Sequence, residues 1–310
     1  SSRSRDLTPV TLNHRGPVHY QAGIAPGFGA NLVSFRADGT EWIHFDREQA
    51  RTGEKFTGAF NMFPTPCRLA NCAYTFDGRR ISQTKRGQPV FIHGLVRDEA
   101  FAYEAGAAAM TSRLEIGPDS PVYEGFPFVC TLELVHALSD AGLTVTYRVI
   151  NRDRRRLPFT YGLHPYWRIP GSRDRARIRI PCERTLRLDE LVPTGGTDPV
   201  AGSPFDFRAP APLGRLAPDH VYWKRPAGET ATLELADQGL RLRISASPEF
   251  GHLIVYSTET APFVCIESLT SSPNAQNLAD SAPDVANLQV VEPGSTAEGW
   301  IRYAVERVSA

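Results

Sequence analysis

The strongest constraint on this chain is a period of two. In Gly142–Asn151, "GLTVTYRVIN", Leu143, Val145, Tyr147 and Val149 point one way while Thr144, Thr146 and Arg148 point the other. The same alternation returns in "RIRI" (177–180), "LRLRIS" (240–245) and "GHLIVYS" (251–257). Side chains that alternate this way line the two faces of a strand, so each segment predicts a half-buried β-strand. Turn chemistry separates the segments: Asp38-Gly39, Asp77-Gly78, Gly195-Gly196 and Asp237-Gln238-Gly239 each predict a reversal. With 25 glycines and 25 prolines spread along 310 residues, no stretch is left for long helices. Only "DREQAR" (46–51) predicts a helical turn or two, and Ile301, Tyr303 and Val305 make the tail "EGWIRYAVERV" a strand. Neither a repeat nor a linker-like shift in composition divides the chain. The expectation is one all-β domain over 1–310, a large antiparallel β-sandwich with few short helices.

Composition narrows the partners. Lys+Arg and Asp+Glu both number 34, so the net charge is zero and no basic footprint for nucleic acid is present. The basic run "NRDRRRLP" (151–158) sits between strand-like segments and reads as a solvated loop. Five cysteines, Cys67, Cys72, Cys130, Cys182 and Cys265, form no CxxC pair or dense framework, which predicts free thiols in a reducing compartment. No apolar run approaches a membrane span, and "SSRSRDLTPV" has no signal-type apolar stretch. A soluble, cytoplasmic protein with a small-molecule partner is expected, as a monomer or homodimer.

Four segments gather polar groups beside turns and aromatic rings. In "FNMFPTPCRLANCAYTFDGRRISQ" (60–83), Pro64 and Pro66 stiffen the approach to Arg68. In "FIHGLVRDEAF" (91–101), His93 precedes Gly94, where backbone can come close to whatever the imidazole touches. In "FTYGLHPYWRIPG" (159–171), His164 stands before Pro165, Tyr166 and Trp167. In "APFVCIESLTSSPNAQNLAD" (261–280), an apolar run delivers Glu267 at its end and gives way to a polar loop. Arg68, His93 and His164 each have a packing or ion-pair reading beside the functional one. Glu267 carries the sharpest signal, because a carboxyl that follows four apolar strand residues and is partly buried has its pKa raised toward that of a useful base.

Taken together, the segments resemble the aldose 1-epimerase (galactose mutarotase) superfamily. The residues that carry the resemblance, in order, are "PCRLANCAYTFDGRRI", "FIHGLVR", "GLHPYW", "PDHVYW" (218–223), "CIESLTSSPNAQN" and the closing "LQVVEPGSTAEGWIRYAVE". The resemblance implies the family's supersandwich fold and a reaction that needs neither metal nor other cofactor. It assigns Glu267 as the base and His164 as the acid, placed on opposite sides of an anomeric carbon. Arg68, His93 and Asp219 would hold sugar hydroxyls, with Tyr166 or Trp167 as an apolar wall. Asn274 and Asn277 would shape the loop after Glu267, and His220 would be structural. Cys67 departs from the asparagine more usual before that arginine. "HGLVR" and "HPYW" are closer to a broad branch that includes hexose-6-phosphate 1-epimerases, in which Arg97 with Arg68 would meet a phosphate. A free monosaccharide and a sugar phosphate thus both stand as substrates, beside a sandwich that only binds carbohydrate.

Overall fold

The structure is a computed structural model that describes residues 6–308. The first five residues of the expected domain, which begin "SSRSRDLTPV", and its last two lie outside the described residues. Two large antiparallel sheets dominate, one of 11 strands and one of 9. The all-β expectation holds, and the alternation is its cause. Leu143, Val145, Tyr147 and Val149 are buried while Thr144, Thr146 and Arg148 are half-exposed, because Gly142–Asn151 turns one face to the other sheet and one to solvent. Asp38-Gly39 and Asp77-Gly78 close hairpins with positive φ at both residues. The tail forms the strand Thr296–Arg307, and "DREQAR" gives the helix Arg47–Thr52, capped by Asp46 accepting from Gln49 N. Two further one-turn helices, Ala275–Leu278 and Pro283–Ala286, lack the apolar spacing that would announce them.

Gly195-Gly196 is not the turn. Both residues lie inside the strand Val192–Pro199, where the register against Arg184–Asp189 shifts across a bulge. Gly195 has φ +94°, and a Cβ there would meet Ala282 at 3.0 Å. The reversal falls at Glu190 and Leu191 instead, both left-handed at φ 45° and 65°. Without glycine or asparagine, a two-residue hairpin of this kind costs about 1–2 kcal/mol per residue.

In the larger sheet, Ala59–Met62, Gly162–Arg168, Phe263–Leu269, His252–Tyr256 and Asp219–Trp223 lie side by side in that order. Their inward residues, among them Leu163, Trp167, Val264, Ile266, Val255 and Tyr222, join the main core against the nine-stranded sheet. Their outward residues Phe60, Met62, Tyr166, Val221, Ile254 and Cys265 form a second apolar cluster, which also takes in Cys67. Phe263–Leu269 is therefore buried on both faces over its whole length. That two-sided burial sets the chemistry of whatever polar residue the strand carries.

Candidate active site

A cleft of about 220 Å³ opens on the outward face of the larger sheet. His164, Glu267, Arg68, His93 and Asp219 all line it, with Cys67, Tyr166, Tyr256 and a set of aliphatic side chains. Segments up to 200 positions apart in the chain thus converge on one hollow.

Strand register produces the central pair. Gly162–Arg168 pairs with Phe263–Leu269 at Gly162, Tyr166, Trp167 and Arg168, and the ladder is open between them. Pro165, in that gap, has no N–H to give to a ladder. Continuing the register across the gap sets His164 opposite Glu267 on the same face, and cross-strand neighbours of this kind touch. His164 Nε2 lies 3.2 Å from Glu267 Oε1, with both side chains at 5% exposure or less. The His164 ring is held between Phe60, at 4.5 Å, and Tyr166, at 4.9 Å, and meets the edge of His93 at 5.0 Å. Both residues sit within strands rather than at strand ends, contrary to expectation. They are also in contact, so no sugar fits between them.

Burial sets the protons. It pushes the His164 imidazole down to about 3, helped by the positive charges of Arg97 and Lys55. It pushes the Glu267 carboxyl well above the carboxylate range, and the neighbouring Asp219 charge adds to this while Cys67 and Arg68 oppose it. Burial therefore favours the uncharged form of each group, a neutral imidazole beside a protonated carboxyl, with one proton held by the pair. His93 is also held well below an ordinary histidine, by burial and then by His164, Arg97 and Arg68. Asp219 is half-buried and its carboxyl is raised by desolvation, with Arg68 acting against the shift.

The sugar-facing candidates separate cleanly. Arg68 and Asp219 make no side-chain hydrogen bond or ion pair to any described residue, and the Nδ1 atom of His93 is buried without a partner. These are groups with hydrogen-bonding capacity to spare beside a cleft. Trp167 is not among them. It is fully buried on the inward face and packs edge-on against Tyr303 at 4.8 Å, because alternation from His164 turns position 167 toward the core. Tyr166 and Tyr256 supply the aromatic wall instead. Arg97 does not line the cleft either; its guanidinium lies over the Phe56 ring at 4.0 Å. Gly94 serves the protein and not a ligand, since a Cβ there would lie 2.5 Å from the carbonyl oxygen of Phe63.

Asn274 accepts from Ala70 N and Asn277 donates to Ala73 O, so both tie the loop after Glu267 to the Arg68 segment, as expected. His220 packs on Phe205 outside the cleft. Arg156 is engaged by Asp77, and Arg155 by Asp153. Cys67, Tyr256, Leu188 and Leu191 went unassigned to the cleft from sequence; Cys67 alone carried a signal, as a departure from the family pattern.

Among the described residues, His164, Cys265 and Glu267 form the one group with three metal-ligand atoms within 4.8 Å of one another. Burial raises the Cys265 thiol far above its usual value, so this set keeps its protons and offers no ready thiolate. No helix among the described residues is long and apolar enough to cross a membrane.

The sequence model of the family described as aldose 1-epimerase matches residues 17–304. The galactose mutarotase of Sus scrofa is 27% identical over 155 residues, which cover 48% of this chain and 44% of that protein. That of Homo sapiens is 27% identical over 159 residues, covering 49% and 45%. The chain thus spans about half the length of the curated relatives it matches. A galactose mutarotase-like protein from Clostridium acetobutylicum superposes with a TM-score of 0.83 at 18% identity, over 97% of this chain and 99% of that one. A C. elegans aldose epimerase homologue does so with a TM-score of 0.79 at 17% identity, over 97% and 100%. These structures share the fold, and the match from residue 17 to 304 shows that the chain belongs to the aldose 1-epimerase family.

Proposed function

We propose that the chain is a single-domain aldose 1-epimerase that interconverts the α- and β-anomers of a free hexose. The observation that carries this reading is the buried His164–Glu267 contact, 3.2 Å long, on the wall of a solvent-open cleft. Carbohydrate binding alone calls for no such pair.

Ring opening removes the proton of the C1 hydroxyl, forms the C1=O bond as C1–O5 breaks, and places a proton on O5. Glu267 as carboxylate takes the first proton and His164 as imidazolium supplies the second. The pair is then left as neutral carboxyl and neutral imidazole, the same protonation that burial favours with the cleft empty. Rotation about C1–C2 presents the other aldehyde face, and closure returns both protons. Closure thus regenerates the carboxylate–imidazolium form; with the cleft empty the proton on His164 returns across the 3.2 Å to Glu267, and it crosses back when a sugar binds. The pair carries no net charge before or after this transfer, so no solvent proton has to enter the buried site. Arg68, His93 and Asp219 would fix the sugar hydroxyls, charged groups giving the stronger bonds.

A free sugar is favoured over a phosphorylated one because, among the described residues, Arg68 is the only arginine or lysine lining the cleft, and a phosphate dianion calls for converging cations. Anomer exchange of a panel of free and 6-phosphorylated hexoses, followed by polarimetry or NMR, tests the proposal. Acceleration of free hexoses is expected; acceleration of none of them would overturn it, and of the phosphorylated ones alone would reassign the substrate.

The pH dependence follows from the single proton. A second proton must go onto an imidazole that burial holds at about 3, and loss of the only proton must leave a carboxyl that burial holds high. The kcat/KM profile should therefore stay level down to about pH 3, with its alkaline limb above the ordinary carboxylate range. Initial rates read before acid unfolding check this; an acid limb at an ordinary histidine value would contradict it. Stability moves differently. The unfolded chain protonates its histidines below about 6.5, whereas folded His136, His164 and His252 wait until about 4, 3 and 3. Stability supplied by these three groups is present above the unfolded value and lost as pH falls through that window.

A further inference from the structure

Cys67 occupies an unusual place. Its thiol lies 3.7 Å from Glu267 Oε2, the carboxyl oxygen not facing His164, and 4.0 Å from the sulfur of Met62. Its backbone carbonyl accepts from His93 N at 2.8 Å, and the next residue, Arg68, bridges Ile92. One residue thereby touches the base through its side chain and a second cleft histidine through its backbone. It does so in a left-handed conformation, φ 44°, next to His93 at φ 65°. Non-glycine residues held there cost about 1–3 kcal/mol and gather at functional sites. Pairing of the 67–69 and 91–93 segments holds the conformation, so the thiol is delivered from a rigid loop to a rigid strand.

We propose that Cys67 is a positioning residue for the proton transfer, its S–H donating to Glu267 Oε2 and setting the carboxyl so that Oε1 faces His164. This rests on the reading of Glu267 and His164 as the acid–base pair. With each oxygen holding one protein partner, a lone pair remains on each for the sugar hydroxyl. The thiol acts as a donor only. Burial and the Glu267 carboxyl push it well above its usual value, so it keeps its hydrogen throughout the working range. Cysteine is a weak donor beside the amide of an asparagine. It holds the carboxyl in place while favouring the charged form less than an amide would, which suits a base that must also carry the pair's only proton.

Cys67→Ala is expected to lower kcat about tenfold, the low end for a hydrogen bond to a charged group, with KM little changed. Cys67→Ser should recover most of the loss. The alkaline limb of kcat/KM should move up in Cys67→Ala and down in Cys67→Asn, because a donor to the charged form favours that form. An unchanged kcat in Cys67→Ala, or limbs unmoved in both variants, overturns the proposal. The contact is tested separately by the infrared S–H band, isolated as wild type minus Cys67→Ser. The band should shift to that of an unbonded thiol in a Glu267→Ala background, and an unmoved band overturns the proposal whatever the activity. Absence of anomer exchange in the wild-type protein would instead sink the acid–base reading, with the band still reporting on the contact.

Discussion

Glu267→Gln is expected to slow anomer exchange by about 10²–10⁴-fold, the span a positioned proton-transfer group contributes, while the fold stays intact. The physical case is sharper than for an exposed carboxylate. Burial favours the protonated, uncharged form of Glu267 in the empty cleft, so a neutral amide of the same shape resembles that form and leaves an oxygen for the Cys67 thiol. The usual penalty for breaking a buried ion pair therefore does not apply. Glutamine cannot accept the C1 hydroxyl proton, however, and the pair loses its shared proton altogether. Thermal unfolding should match wild type within a few degrees while polarimetry shows the slowed exchange. Full activity in this variant would overturn the assignment of the base.

His164→Asn should also reduce kcat by orders of magnitude, with a smaller cost in stability. The ring is stacked between Phe60 and Tyr166, and losing aromatic contacts of this sort costs about 0.5–1.5 kcal/mol each. The kinetic loss has another origin: asparagine offers hydrogen bonds but cannot carry the proton from Glu267 to O5. The kcat value should fall and KM change little. A loss confined to KM would make His164 a binding residue, and the pair would cease to be the engine of the reaction.

The fold was legible because one physical rule, alternation, acts locally and repeats. Where the rule failed, tertiary contacts had overridden it: Gly195-Gly196 looked like a turn but serves a bulge beneath Ala282, and the real reversal at Glu190-Leu191 carries no turn residue. Five of the seven expected site residues, Glu267, His164, Arg68, His93 and Asp219, come together in one cleft. Motif resemblance brought them to notice, since nothing local marks residues 68 and 267 as neighbours. Trp167 and Arg97 have the chemistry for a sugar site but not the direction. Strand parity from His164 already turns 167 inward, and only the folded loop shows Arg97 over Phe56. The contact of His164 and Glu267 was beyond sequence, because it depends on the register of two strands whose ladder is open at that very point.

The most direct test of the pair as a single unit is the doubly substituted protein, Glu267→Gln with His164→Asn, assayed for anomer exchange beside each single variant. Groups that act together lose together, so the account predicts a double variant no slower than the slower single one. Losses that multiply, each variant subtracting its full effect from the other, would mean that the two side chains work independently and would contradict it.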